Sequence, residues 1–260
     1  MKPALPDFCL AKIGICRFFR LSESGLSSLR IFLLRPQVKE LNINKMGTQR
    51  GRFISFEGGE GAGKTTQITR LAAFLRERGK EVLLTREPGG TALGEDVRKI
   101  LKFADYGDTL TQEAEALLFS AARAQLVREV IVPALERGVY VISDRFTDSS
   151  VAYQGAGRGL GEAAVSAVNR FATGGLEPDL TVLLDLEPSV GFARVRSRAG
   201  ENGDKQDRME TMELAFYERV RAAYLKLAEK FPQRFFVVEA NDSADVISEK
   251  LKNEIERRLG

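Results

Sequence analysis

The chain has 260 residues, 43% hydrophobic and 29% charged, with a formal net charge of +3. That is enough for one α/β domain with a sizeable core, and the charge is too small to argue for nucleic-acid binding. The absence of histidine excludes imidazole chemistry, and two cysteines, Cys9 and Cys16, leave neither a metal cluster nor a disulfide framework credible. No apolar run of about 18 residues occurs, so no membrane span is expected and a reducing, cytoplasmic setting fits best.

Residues 1–50 differ from the rest: up to Lys45 there are eight Lys/Arg against three Asp/Glu, with apolar patches and no sustained period. Three readings fit this N-terminal extension. Its start is over-called and translation begins at Met46, or it is a basic targeting sequence, or an amphipathic membrane-surface segment; the extension is expected to be either disordered or such an over-called start. The first is preferred because the folded pattern opens a few residues after Met46. Residues 51–260 are then the folded domain.

From Arg52 onward, β-rich apolar runs alternate with helical patterns, which predicts βαβ units and a parallel sheet. RFISFE (52–57) reads as the first strand and ends in a glycine-rich turn. A helix follows from Lys64 to Gly79, with Ile68, Leu71, Ala72 and Leu75 at helical spacing. Further strands are predicted at 81–85, 138–143, 180–186 and 234–240, and long helices at 111–137, 161–173 and 206–230. The last segment reads as a helix with Ser243 as its N-cap.

Gly58, Gly59, Glu60, Gly61, Ala62, Gly63, Lys64 and Thr65, followed by Thr66, match G-x-x-x-x-G-K-[ST] in full. Glycines let successive N–H groups converge on phosphate oxygens, and the following helix adds its positive dipole end. Lys64 would reach the β/γ-phosphates of ATP and Thr65 would bind Mg²⁺. With a strand before it and a helix after it, the motif predicts an α/β P-loop NTPase fold, a five-stranded parallel sheet flanked by helices.

Asp144 and Arg145 follow the third strand, and Arg86 follows the second within TREPGGT. Ligands bind at the carboxyl ends of such strands, so Asp144 could hold Mg²⁺ and the two arginines a second anionic substrate. A surface ion pair capping a strand is the plain alternative for Asp144–Arg145. Phe119 and Arg123 are four apart in LLFSAAR, where a ring and a donor fork could hold a base; a core Phe with a solvated Arg is the alternative. Arg194, Arg196 and Arg198 precede the turn-rich AGENGDKQD, which suggests a mobile lid over about 191–210 or else a solvated basic helix.

Taken in order, FEGGEGAGKTT, TREPGGT, LLFSAAR, SDRFTDSSVAYQGAGRG and the arginine-rich lid resemble the thymidylate kinase family over residues 52–258. The resemblance implies transfer of the ATP γ-phosphoryl group to dTMP, with Mg²⁺ and usually as a homodimer. It assigns Glu60 to the dTMP 3′-hydroxyl and Arg86 and Arg145 to its phosphate. Phe119 would stack on thymine and Arg123 bond its O4, while Ser149, Tyr153 and Gln154 line the base and sugar, Tyr153 against a ribose. Lys64, Thr65 and Asp144 fall on catalytic and Mg²⁺ positions. Where some relatives carry a P-loop arginine this chain has Gly61, so the charge should come from Arg198 with Arg194 or Arg196, and Arg208 is a second candidate. Another monophosphate kinase, or a P-loop regulator that merely holds ATP, are the competing readings.

Overall fold

The five β-rich runs form one parallel sheet in the order β2-β3-β1-β4-β5 in a computed structural model, which describes residues 50–103, 109–202 and 213–259. The strands are β1 (Phe53–Gly58), β2 (Val82–Arg86), β3 (Tyr140–Asp144), β4 (Leu180–Asp185) and β5 (Phe235–Glu239). Every residue of β1 is buried, as expected of a central strand covered on both faces. The register sets Phe56 beside Asp144, Arg86 beside Asp144 and Gly58 beside Leu184. The functional ends of β1, β2, β3 and β4 therefore share one edge.

Alternation along β1 sorts its side chains between two cores. Ile54 and Phe56 pack with α1 (Lys64–Glu77) and α9 (Ala244–Leu259), through Ile68, Leu71, Ile247 and Leu251. Phe53 faces the other way, against Leu126, Ile131 and Leu135 of α3 (Gln112–Leu126) and its continuation. On that same face α8 (Leu214–Lys230) packs with residues 151–157 through Val220, Tyr224 and Tyr153. Ser243 caps α9 as predicted, its Oγ accepting from Val246 N at 3.3 Å.

Three details depart from the sequence reading. A helix at α2 (Ala92–Phe103) was not anticipated. The helix predicted over 111–137 instead runs as α3, a π turn at Val127–Ile131 and α4 (Val132–Glu136). Pro133 has no N–H to give the preceding turn, and the wider turn there is closed by Val132 N to Val127 O. In place of the expected loop, residues 199–202 continue α7 (Pro188–Asn202); single Gly and Asn residues between Ala and Glu are too weak to stop a running helix. Residues 203–212, including Arg208, and the N-terminal segment 1–49 lie outside the described residues. Between β3 and β4 lie α5 (Thr147–Ser150), a π turn at Val151–Gly157 and α6 (Glu162–Thr173).

Candidate active site

The phosphate loop spans the end of β1 to the start of α1. Gly61 has φ 71°, and a Cβ on it would sit 2.4 Å from the carbonyl oxygen of Gly191 in α7. Only glycine allows that approach of loop to helix. Lys64 is buried and folds back on the loop, its Nζ donating to Gly58 O at 3.2 Å and Gly59 O at 3.0 Å. Burial, reinforced by Arg145, holds its ammonium below the ordinary lysine range. Thr65 and Thr66 are exposed at the start of α1.

Asp144 closes β3, and its Oδ1 is buried with no hydrogen-bond partner. A carboxylate oxygen left so is costly unless a cation or a water bound to one completes it. Together with the Thr65 hydroxyl this donor fits a hard cation such as Mg²⁺, whose other ligands would be phosphate and water. Among the described residues no three His, Cys, Asp or Glu side chains form a metal cluster.

Arg145, next in the chain, has φ 73°, the only non-glycine positive φ among the described residues. Its Nη2 donates to Glu60 Oε1 at 2.6 Å and Tyr153 OH at 3.1 Å. Its Nη1 reaches Gly58 O at 3.2 Å, Ser149 Oγ at 3.3 Å and Tyr224 OH at 3.4 Å. The plain alternative, a surface pair with Asp144, is thereby corrected: the partner is Glu60, brought across by the loop. Burial pushes the Glu60 carboxyl up, but Arg145 and Lys64 together outweigh it and leave it below the ordinary range.

Arg86 projects from the end of β2 and is half exposed. Its Nη2 bonds both carboxylate oxygens of Glu95 in α2 at 3.0 Å, which leaves Nε and Nη1 open. The Gly90 amide, ahead of Arg86, holds the Glu95 carboxyl below its ordinary range. The Glu87–Pro88 peptide is cis.

Phe119 is half-buried beside Val97, Leu101 and Ala122. Arg123 is 1% exposed, so the solvated arginine of the plain alternative is incorrect. Its Nε and Nη2 bond Glu87 Oε2 at 2.8 and 2.5 Å, Nη1 bonds Asn169 Oδ1 at 2.5 Å and Nη2 also reaches Phe146 O at 3.2 Å. One of the five N–H groups, on Nη1, is left over by these bonds. Gln154 is also buried, donating to Glu115 Oε1 at 3.2 Å, and Arg158 Nη2 bonds the other oxygen of Glu115 at 3.0 Å.

Of the lid arginines, Arg194 donates to Ala240 O at 2.9 Å, Gly61 O at 3.5 Å and Asn241 Oδ1 at 3.2 Å, so it pins α7 to the phosphate loop and to the end of β5. Arg196 is exposed on α7, and Arg198 lies in the same helix. A small, partly open groove lies between the phosphate loop, the end of β4, α7 and α8, lined by Glu60, Phe192, Tyr217, Arg221 and Tyr224 among others. Sequence reasoning missed Glu57, Glu87, Glu95, Asn169 and Tyr224. A glutamate inside an apolar strand is the one signal that could have exposed Glu57.

A family model described as thymidylate kinase matches residues 56–251. The thymidylate kinase of Thermomicrobium roseum is 53% identical over 197 residues, 76% of this chain and 90% of that one. That of Deinococcus radiodurans is 50% identical over 201 residues, 77% of this chain and 94% of its own. The Geobacter sulfurreducens thymidylate kinase is matched along 100% of its length and 80% of this chain, at 46% identity.

Proposed function

The chain belongs to the thymidylate kinase family, and from that premise we propose how its residues divide the transfer of the ATP γ-phosphoryl group to dTMP, which yields ADP and dTDP for dTTP synthesis. The observation that carries the reading is the pair of arginines on adjacent strand ends, Arg86 on β2 and Arg145 after β3, beside a complete phosphate loop. A switch or simple ATPase has no use for a second phosphate clamp.

ATP phosphates bind the amides of residues 58–63 and the dipole end of α1. Lys64 exchanges its loop carbonyls for the β/γ-phosphate oxygens, a charge-assisted contact in place of two neutral ones. Thr65 and Asp144 would hold Mg²⁺, which would supply neutralisation of phosphate charge. Arg86 uses its open Nε and Nη1, and Arg145 its guanidinium, to fix the dTMP phosphate. Glu60, already oriented by Arg145, accepts from the 3′-hydroxyl. Phe119 stacks on thymine, the remaining Arg123 N–H meets O4, and Ser149, Tyr153 and Gln154 line sugar and base. Glu87 and Asn169 fix the Arg123 fork, so a base lacking an acceptor there would leave a buried donor unpaired.

In the transfer, an anionic oxygen of the dTMP phosphate attacks γ-phosphorus, a new P–O bond forms and the bond to the β–γ bridging oxygen breaks. The nucleophile is already charged, so no base is required, and catalysis is positioning and charge neutralisation. Arg194 is committed to Gly61 and Ala240, which leaves Arg198, helped by Arg196 or Arg208, to bring charge over the phosphoryl group as the lid closes. A homodimer and a cytoplasmic setting belong to the same reading; among the described residues no helix is long and apolar enough to cross a membrane.

The test is ADP release with ATP, Mg²⁺ and a panel of dTMP, dUMP, dCMP, AMP and GMP. Marked preference for dTMP is expected. Preference for another acceptor would overturn the roles of Phe119 and Arg123, and release independent of any acceptor would overturn the second phosphate clamp.

A further inference from the structure

Glu57 lies in β1, one residue before the first glycine of the loop, and is fully buried. Such a carboxylate persists only where donors replace its water. Four do so. Ser55 Oγ and Phe146 N each stand 2.9 Å from Oε1, while Ser149 Oγ at 2.5 Å and Tyr224 OH at 3.0 Å donate to Oε2. Among the described residues its hydrogen-bond partners are these four neutral donors and not a lysine or arginine.

Three of these four donors bear on Arg145. Phe146 N is the amide after it, and Arg145 N itself donates to Phe56 O at 2.9 Å. The two amides around the φ 73° residue are therefore both tied to the end of β1. The two hydroxyls also accept from Arg145 Nη1, at 3.3 Å from Ser149 and 3.4 Å from Tyr224. Each hydroxyl has one hydrogen. Ser149 Oγ and Tyr224 OH also stand 2.8 Å apart; with the Ser149 hydrogen on Glu57, and the Tyr224 hydrogen on either Glu57 or Ser149 Oγ, only lone pairs are left to face the guanidinium.

We infer that Glu57 is a positioning residue for phosphoryl transfer: it orders the Phe146 amide and the Ser149 and Tyr224 hydroxyls so that the Arg145 guanidinium is held in one orientation beside the phosphate loop, from which it meets the acceptor phosphate. This rests on the reading of Arg145 as the acceptor clamp. An amide in place of the carboxylate reverses the polarity of the relay. The NH₂ of a glutamine donates to the hydroxyls, whose hydrogens then turn toward each other or toward the cationic guanidinium. Burial, followed by the nearby charge of Asp148, raises the Glu57 carboxyl to about 7, so its charge is held there at a cost and is sensitive to its donors.

The experiment compares wild type, Glu57→Gln, Tyr224→Phe and the double variant, with kcat and KM measured separately for dTMP and for ATP. Glu57→Gln is expected to lower kcat/KM for dTMP by about 10–100-fold, the effect of a reacting group displaced on the ångström scale, while the ATP KM stays within about twofold. Tyr224→Phe should give part of that loss, and the double variant no more than Glu57→Gln alone, because the two act through one relay. Equal losses toward ATP and dTMP, or losses that multiply in the double variant, would overturn the inference. If Glu57→Gln does not fold, Tyr224→Phe decides, since it removes a single oxygen; unchanged dTMP kinetics there would refute the relay. If wild type prefers another monophosphate, the thymine reading fails, and the same comparison made with that acceptor still tests Glu57.

Discussion

Replacing Gly191 by alanine sets two opposed effects against each other at the joint between lid helix and phosphate loop. In the interior of a helix such as α7, alanine is favoured over glycine by about 1 kcal/mol. Here, however, the added Cβ would lie 2.3 Å from Glu60 O and 3.4 Å from Glu60 C. A carbon normally stands about 3.3 Å or more from a carbonyl oxygen, so α7 and the loop must part by roughly an ångström. The loop does not yield freely, because Arg194 of α7 ties Gly61 O and Ala240 O together. Overpacking of this kind costs about 1–3 kcal/mol, which exceeds the gain from propensity. We predict a net loss of about 1–2 kcal/mol, or a few degrees in Tm for a domain of this size. The displaced group is the Glu60–Gly61 peptide of the phosphate loop, so kcat/KM for ATP should fall by about 10–100-fold. Thermal melts with and without ATP, together with initial rates at varied ATP, read both quantities. A variant with higher Tm and unchanged ATP kinetics would show that propensity wins and that the glycine contact is slack.

Three further outcomes are expected. Lys64→Ala should lower kcat by several orders of magnitude with little change in Tm, since its present bonds are to two loop carbonyls; near-normal turnover would remove Lys64 from the mechanism. Arg123→Met should cost about 3–5 kcal/mol in chemical denaturation because it strands the buried Glu87 carboxylate, and adding Glu87→Gln should recover part of it; equal stability of the single and double variants would refute the pairing. Glu57 titrates near 7, mainly through burial and then Asp148, with Arg145 opposing, against 4.5 when unfolded. A folded pKa above the unfolded one makes the contribution of Glu57 greatest below pH 4.5 and lost as pH rises through 7, a difference of about 3 kcal/mol. Subtracting the pH–stability curve of Glu57→Gln from that of wild type should reveal this fall, and a flat difference would contradict it.

All five strands were legible because each is a run of apolar, β-rich residues between turn signals, and the central position of β1 makes Phe53 through Phe56 apolar but for one serine. The phosphate loop was legible for a different reason: its function resides in consecutive backbone amides, so its whole specification is local. The partners of Arg123 and Arg145 were not. Glu87 is 36 positions from Arg123, and Tyr224 is 79 from Arg145, so only the closed sheet brings them together. Tyr224 reads in sequence as one more apolar residue on the buried face of α8, and its hydroxyl gains meaning only from Glu57, Ser149 and Arg145. The extension of α7 through residues 199–202 escaped for the opposite reason, since turn-forming composition is a weak guide against a helix already under way.

The strand order has an evolutionary corollary. With β1 and the phosphate loop at the centre, β2, β3 and α3 bring Arg86, Arg145 and Arg123 to one flank, while Arg194 and the end of β5 at Ala240 and Asn241 stand on the other. On the proposed reading the acceptor pocket would draw on the first flank together with Asn169 and Tyr224, and the ATP site would draw on the central phosphate loop and on residues from Pro188 onward. Because Tyr224 of α8 meets Arg145 and Glu57 across that division, chimaeras joined in the α6–β4 connection should keep their turnover only where both parents preserve this contact.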